Sequence, residues 1–425
     1  MSNEKETEKE GSGNSSFLKD LPFFLALVAL PLSSWYLATM AQHYSGRILI
    51  PQSRAELDVL LSHVAVPSLA GILLFLGWLV FQALLSLYAP GRTVLGEPLE
   101  DGTRLAYRVN GFAAMCISLL LAGMAVLLGW VPGDFLYRHL ADYITAANIV
   151  AIVVCLFVHR LARRHASPAE RRLRPIEAFF TGATLNPRLG RFDFKFYFES
   201  RPGFILWLLI LASCAFAQYQ QHGTVTNAMI LICIFQALNV VDYFLFEEAI
   251  LTTWDIRHER FGFMLCWGTV LWVPLTYTLQ AVYLVANPVT LPTWAVVAIT
   301  TLNMTGYLIF RQSNLQKFRF RKNPQTLIRG KPARYIRTQQ GNLLLTSGWW
   351  GLSRHANYMG DLMMGLSWCL VCGFEQPIPW FYGVYLLILL TTRERRDAAH
   401  CALRYGADWA RYEREVKWRI VPGVY

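Results

Sequence analysis

Charge is scarce in this sequence. Of its 425 residues only 16% are Asp, Glu, Lys or Arg, where soluble domains carry about a quarter. With 54% hydrophobic residues and a mean hydropathy of +0.33, a soluble globule is excluded, because the surplus apolar surface needs lipid. No G-x-G-x-x-G and no G-x-x-x-x-G-K-[ST] occurs, so neither a Rossmann turn nor a P-loop is available to hold a phosphate. H-E-x-x-H and G-x-S-x-G are also missing, which removes the common zinc-protease and serine-hydrolase readings. Cysteine is present but sparse. Seven of the eight, Cys401 excepted, lie inside apolar runs and read as small buried hydrophobes rather than a disulfide framework. Cys369 and Cys372 form a C-x-x-C with no second pair or histidine nearby, which argues against a metal site.

What is abundant is apolar sequence in long blocks. A spanning helix needs about 20 mostly apolar residues, and this predicts an all-α polytopic membrane protein with about ten transmembrane helices, near 21–42, 60–88, 109–132, 142–160, 203–220, 225–250, 261–286, 291–311, 343–373 and 378–393. Residues 1–18 are polar and Gly/Ser-bearing. They read as a disordered tail, too polar for a signal peptide. The N-terminal part, 19–202, holds spans 1–4 and a basic loop, and 203–425 holds spans 5–10 and the C-terminal region.

Cytoplasmic loops should carry the excess of Lys and Arg. With ten spans, only Arg47, Arg54 and Arg138 fall opposite the termini, and the rest of the 39 basic residues share the terminus side. Both termini are therefore expected to be cytosolic. The net charge of +11 lies between apolar spans rather than on a soluble face, so no nucleic acid is expected as a partner. Anionic membrane lipid, or a soluble anion from the cytosol, is.

Four segments could carry chemistry. In 311–324, Lys317, Arg319 and Arg321 alternate with Phe318 and Phe320. An extended chain would put all three cations on one face, whereas a helix would set Lys317 and Arg321 one turn apart. Either geometry could grip a phosphate, or lie on lipid head groups. Segment 344–361 packs Trp349, Trp350, Arg354, His355, Asn357, Tyr358 and Asp361 into the start of the ninth span. Ionisable groups cost about 2.5–3.5 kcal/mol each at a helix centre, so this density marks function more readily than an interfacial aromatic belt. Segment 240–258 carries Asp242, Tyr243, Glu247, Glu248, Asp255 and His258. If its helix continues, Tyr243 and Glu247 form an i, i+4 pair; the alternative is carboxylates paired with loop cations. The closing segment 393–425 is cationic and aromatic. Tyr405, Trp409 and Tyr412 are spaced as a packing stripe on an interfacial helix.

These residues fall within a wider pattern. The runs GATLNPR (182–188), DFKFYFESRPG (193–203), EEAILTTWDI (247–256), FGFML (261–265) and SGWWGLSRHANYMGD (347–361), with the closing RYGADW, RYEREV and WRIVP, stand in order along the chain. In this the chain resembles the sterol reductase family, which includes delta(14)-sterol reductases, 7-dehydrocholesterol reductase and the membrane part of the lamin B receptor. The resemblance implies NADPH as cofactor and Lys317, Arg321, Leu345, Trp350, Asn357, Tyr358, Asp397, Cys401, Arg404, Tyr405 and Tyr412 as its site. Two positions depart from the pattern: Ala356, where the family commonly has Pro, and Arg404, commonly Lys. The first is expected to loosen a helix entry; the second keeps the charge.

The implied substrate is a sterol taken from the bilayer, and the implied reaction is reduction of a carbon-carbon double bond, C14–C15 first and the C7 or side-chain bond as alternatives. An isolated alkene accepts hydride poorly until it is protonated, so an acid within hydrogen-bond reach is needed. Tyr243 is the first candidate donor, Glu247 a candidate to replenish its proton, and Asp397 the rival. Isoprenylcysteine methyltransferases look similar over R-H-x-x-Y-x-G and the C-terminal segment, but leave 182–203 unaccounted for. A non-catalytic sterol-binding scaffold is the remaining class. A bacterial chain would sit in the cytoplasmic membrane and a eukaryotic one in the endoplasmic reticulum.

Overall fold

A computed structural model describes residues 2–99, 102–165 and 168–425, with side chains from Leu18 onward except at 165, 168 and 169. Among the described residues seven helices are long and apolar enough to cross a membrane: Leu18–His43, Leu69–Tyr88, Leu140–Arg164, Phe194–His222, Asn227–Leu245, Phe263–Ala286 and Thr293–Lys322. A shorter apolar helix spans Gly111–Leu127. The first helix is assigned from Ser2 to His43. The expectation of a disordered tail over 1–18 falls almost wholly on residues whose side chains lie outside the described set.

The chain forms two compact units. The first comprises Met1–Val225 and Gln236–Asn287. Its helices approach closely where the sequence permits. A Cβ on Gly203 would fall 1.7 Å from the Thr269 carbonyl oxygen, so only glycine lets the helix Pro202–His222 cross there. Thr269 lies in a π-helical turn, Gly268–Trp272, whose cause is legible. Pro274 has no N–H to give the Val270 carbonyl, and the Tyr143 hydroxyl donates to it instead at 2.6 Å. A hairpin pairs Arg92–Pro98 with Arg104–Val109.

The second unit comprises Thr226–Phe235 and Pro288–Tyr425. Two helices, Thr293–Lys322 and Ala356–Leu370, cross at a pair of glycines. A Cβ on Gly306 would meet the Gly360 carbonyl at 2.8 Å, and one on Gly360 the Gly306 carbonyl at 2.6 Å, the small-residue packing suited to membrane helices. The buried Asn303 donates to the Ser367 hydroxyl across the same pair at 2.8 Å. The helices Phe381–Tyr405 and Ala407–Glu415 follow, separated by Gly406 at a φ of 51°.

In this unit the structure differs from the continuous span expected over 343–373. Leu343–Leu345 is a strand paired with Tyr335–Arg337, Trp349–Leu352 is a short helix, and the long helix begins only at Ala356. Gly348, at a φ of 64°, turns the chain out of helical geometry. The amides of Arg354 and His355 donate to the carbonyls of Trp418 and Arg419 at 2.9 Å each instead of to a preceding helical turn. The polar run SGWWGLSRH thus precedes the helix, and Asn357, Tyr358 and Asp361 lie in its first two turns.

Candidate functional site

In the second unit the residues singled out by sequence come together. The helix Thr293–Lys322 runs through 317–321, which decides between the two geometries: Lys317 and Arg321 lie one turn apart on one face. The Lys317 ammonium sits 3.8 Å from the centroid of the Trp350 ring, a cation–π contact of about 0.5–2 kcal/mol. Trp350 is fixed in turn, since its indole N–H donates to the Ser313 carbonyl at 2.8 Å. It packs with Phe320, Ile328 and Leu345. The neighbouring Trp349 packs against that cluster and donates its amide to Gln316 Oε1 at 2.9 Å.

Asn357 and Tyr358 occupy the first turn of the helix Ala356–Leu370. The Tyr358 ring stacks on His355 with centroids 4.7 Å apart. The His355 Nε2 lies 3.6 Å from Asp397 Oδ2, beyond hydrogen-bond reach but close enough to bring the two helices' polar faces together. Sequence reasoning left His355 out of the site, although it stood inside the polar segment. Ala356 is the first helical residue, a position that tolerates Pro and Ala alike. The entry is held by the His355 amide, which donates to the Arg419 carbonyl.

Asp397, Cys401, Arg404 and Tyr405 lie on the helix Phe381–Tyr405, and Tyr412 on Ala407–Glu415. The expected aromatic stripe is not on one helix, since Gly406 separates Tyr405 from Trp409 and Tyr412; Trp409, Tyr412, Ile336 and Val416 nonetheless form a cluster with Cys401, Tyr405 and Ala398 against it. Burial, then the Asp397 carboxylate, pushes the Cys401 thiol up to about 12, against the opposing pull of Lys317 and Arg404. Burial likewise raises the Tyr405 and Tyr412 hydroxyls, so both stay protonated donors. Asn357 Oδ1 is buried without a hydrogen-bond partner, and such an atom in a native structure calls for a ligand or water.

In the first unit, Tyr243 and Glu247 are placed differently from the helical pair considered above. The helix ends at Leu245, and Glu247 opens a 3-10 turn, Glu247–Thr252. The two therefore do not share a continuous helical face. Glu247 pairs with Arg201, whose Nη2 lies 2.8 Å from Oε1, and both side chains are 1% exposed. Its Oε2 accepts the Gly111 amide at 2.7 Å. Burial outweighs the Arg201 guanidinium and the Gly111 and Asn110 amides, and holds the Glu247 carboxyl above its usual range. Arg201 also donates to the Arg108 carbonyl and to Asn110 Oδ1, at 2.8 Å each. The Tyr243 ring stacks on Phe204 at 4.2 Å, and its hydroxyl donates to the Glu199 carbonyl at 3.2 Å. Asp242 is buried.

These features define a multi-pass membrane protein whose second unit gathers cationic and aromatic side chains. The comparisons with known proteins narrow the class. The sequence profile described as the Ergosterol biosynthesis ERG4/ERG24 family matches residues 20–425. The chain is 46% identical to a protein named Delta(14)-sterol reductase from Methylotuvimicrobium alcaliphilum, over 95% of this chain and 94% of that one. It is 36% identical to the Delta(14)-sterol reductase of Dictyostelium discoideum, over 94% and 90% of the two chains. With Delta(14)-sterol reductase LBR of Gallus gallus it shares 41% identity, over 81% of this chain and 55% of the relative. The chain belongs to the Ergosterol biosynthesis ERG4/ERG24 family.

Proposed function

We propose that the chain reduces the C14–C15 double bond of a sterol with NADPH. The near full-length relatives named Delta(14)-sterol reductase support the reaction. The observation that carries the cofactor is the donor set of the second unit. Lys317 and Arg321, one turn apart, suit a phosphate, and protonated Tyr405 and Tyr412 can donate to further oxygens. Asn357 Oδ1, buried and without a partner, suits a ligand N–H. Leu345 and Trp350 offer apolar surface beside them, and Tyr358, Asp397, Cys401 and Arg404 complete the set. NADPH, when bound, supplies the hydride.

Protonation must come from the protein. Tyr243 is the proposed acid: its ring is fixed by Phe204, and its long bond to the Glu199 carbonyl is weak enough for the hydroxyl to rotate toward another acceptor. Glu247 lies within electrostatic range of Tyr243. Its carboxyl, held above the usual range, suits return of a proton, although its pairing with Arg201 restrains it. Asp397 stays the rival donor. The sterol reaches the protein from the bilayer. Ten spans with both termini cytosolic fit the Lys/Arg distribution, and place the NADPH residues on the cytosolic side of the cytoplasmic membrane in a bacterium, or of the endoplasmic reticulum in a eukaryote.

The test is to incubate the purified protein with NADPH and a panel of Δ14, Δ7 and side-chain-unsaturated sterols, and to identify products by mass spectrometry. Product from the Δ14 sterol alone is expected. Product from another sterol alone would reassign the regiochemistry, and NADPH binding without reduction of any sterol would favour a binding or scaffold role.

A further inference from the structure

We infer that Glu394, which no sequence motif singled out, is a positioning residue for the NADPH-binding side chains; the inference rests on the cofactor reading above. Glu394 lies on the helix Phe381–Tyr405, three residues before Asp397 and so on the same face. It is a carboxylate at 0% exposure, costly to bury unless it is paired. Its Oε2 accepts from Arg419 Nη1 at 3.1 Å and from the Tyr425 hydroxyl at 3.2 Å. The Tyr425 carbonyl closes the loop, accepting the amides of Arg419 and Ile420 at 2.9 and 3.0 Å. Segment 419–425 is thus pinned to the helix by one carboxylate.

The pinned segment in turn holds the loop that enters the helix Ala356–Leu370. The Ser353 hydroxyl is within bonding distance of the Arg419 and Ile420 carbonyls, at 3.0 and 2.8 Å. The amides of Arg354 and His355 donate to the Trp418 and Arg419 carbonyls, and the Arg354 guanidinium pairs with Glu413. His355 stacks on Tyr358, and Asn357 is between them in sequence. Glu394 therefore ties two parts of the cofactor site together: Asp397 and Cys401 on its own helix, and Asn357 and Tyr358 through 418–420. It touches no ligand in this scheme and acts through the groups that do.

The experiment measures NADPH affinity directly, and separately KM for NADPH and kcat, for Glu394→Ala, Glu394→Gln and Tyr425→Phe in the full-length protein, with the double variant Lys317→Ala, Arg321→Ala alongside. Glu394→Ala is expected to raise Kd and KM for NADPH at least tenfold, with kcat within about threefold of the parent. Glu394→Gln keeps an acceptor for Tyr425 and Arg419 and should recover most of the affinity. Tyr425→Phe removes the hydrogen bond to Glu394 and a longer one from Arg395 Nε, and should raise KM severalfold even if Glu394→Ala does not fold. Unchanged NADPH affinity in both Glu394→Ala and Tyr425→Phe would overturn the inference, as would a parallel loss of kcat that Glu394→Gln does not rescue. If the Lys317, Arg321 double variant itself binds NADPH normally, the cofactor reading has failed, and that outcome is distinct from failure of Glu394 alone.

Discussion

Two groups of polar residues, one in each unit, are held differently. In the first, Arg201 and Glu247 close on each other and on the backbone of Arg108 and Gly111, and the fully buried Lys195 is held by the carbonyls of Ile256 and Glu259 at 2.6 and 2.7 Å. In the second, Lys317 faces an aromatic ring, Asp397 stops short of a hydrogen bond to His355, and the Asn357 carbonyl oxygen has no partner. Charge satisfied by protein belongs to architecture. Polar groups gathered but incompletely satisfied are what a ligand site requires, since the ligand supplies the missing partners.

The largest expected effect bears on the exception in the first unit. If Tyr243 donates the proton, Tyr243→Phe lowers turnover by about 10² to 10⁴, the usual worth of a positioned general acid, while NADPH affinity stays unchanged. Single-turnover rates and Kd separate the two. Undiminished turnover would move the acid to Asp397 and leave the first unit with no chemical role, sharpening the contrast to architecture against chemistry.

Next in size is the buried ion pair. Arg201→Met leaves the Glu247 carboxylate buried and unpaired, a loss of about 3–5 kcal/mol. The double variant Arg201→Met, Glu247→Leu should recover much of it, because removing both charges spares the desolvation cost. Unfolding in detergent with increasing denaturant measures both. A double variant as unstable as the single one would show that the contacts of Arg201 to Arg108 and Asn110 matter more than the pair. In the second unit, Lys317→Ala with Arg321→Ala should weaken NADPH about 100-fold at two charge-assisted contacts of roughly 1.5 kcal/mol or more each, with stability nearly unchanged. A large loss of stability instead would make Lys317 architectural too, and break the comparison.

Much of this was legible in the sequence, and the physical reasons differ by element. Long apolar blocks announce their helices because lipid admits little else, and the i, i+4 relation of Lys317 and Arg321 followed once 311–322 proved helical. Tyr405, Trp409 and Tyr412 do share a cluster, but across a break at Gly406 that their spacing did not reveal. The entry to the ninth span was misread, because hydropathy cannot see that Gly348 adopts a left-handed φ or that 418–420 supplies carbonyls from far along the chain. The Tyr243–Glu247 pair depended on a helix that ends at Leu245, and Glu247 finds Arg201 46 residues earlier, a contact no local pattern encodes. Glu394 looked like one more charge in a cationic run. Only tertiary structure buries it.

The smallest effect is read from Cys401, and its sign follows from the charges around it. An acid whose pKa is pushed up to about 12 holds less thiolate at any pH below that than an ordinary thiol near 8.5, and the thiolate is the species that alkylates. At pH 8 the thiolate fraction is lower by about three orders of magnitude, so iodoacetamide should label Cys401 far more slowly than a small-molecule thiol, with the rate still rising tenfold per pH unit through pH 10. Lys317 opposes the upward shift. Lys317→Ala should therefore slow labelling further, where a purely steric view predicts faster labelling from the space the side chain vacates. Peptide-resolved mass spectrometry of the labelled protein decides between them. Faster labelling in the variant would mean that Lys317 shields the thiol by bulk, and the electrostatic account of this corner of the second unit would have to be given up.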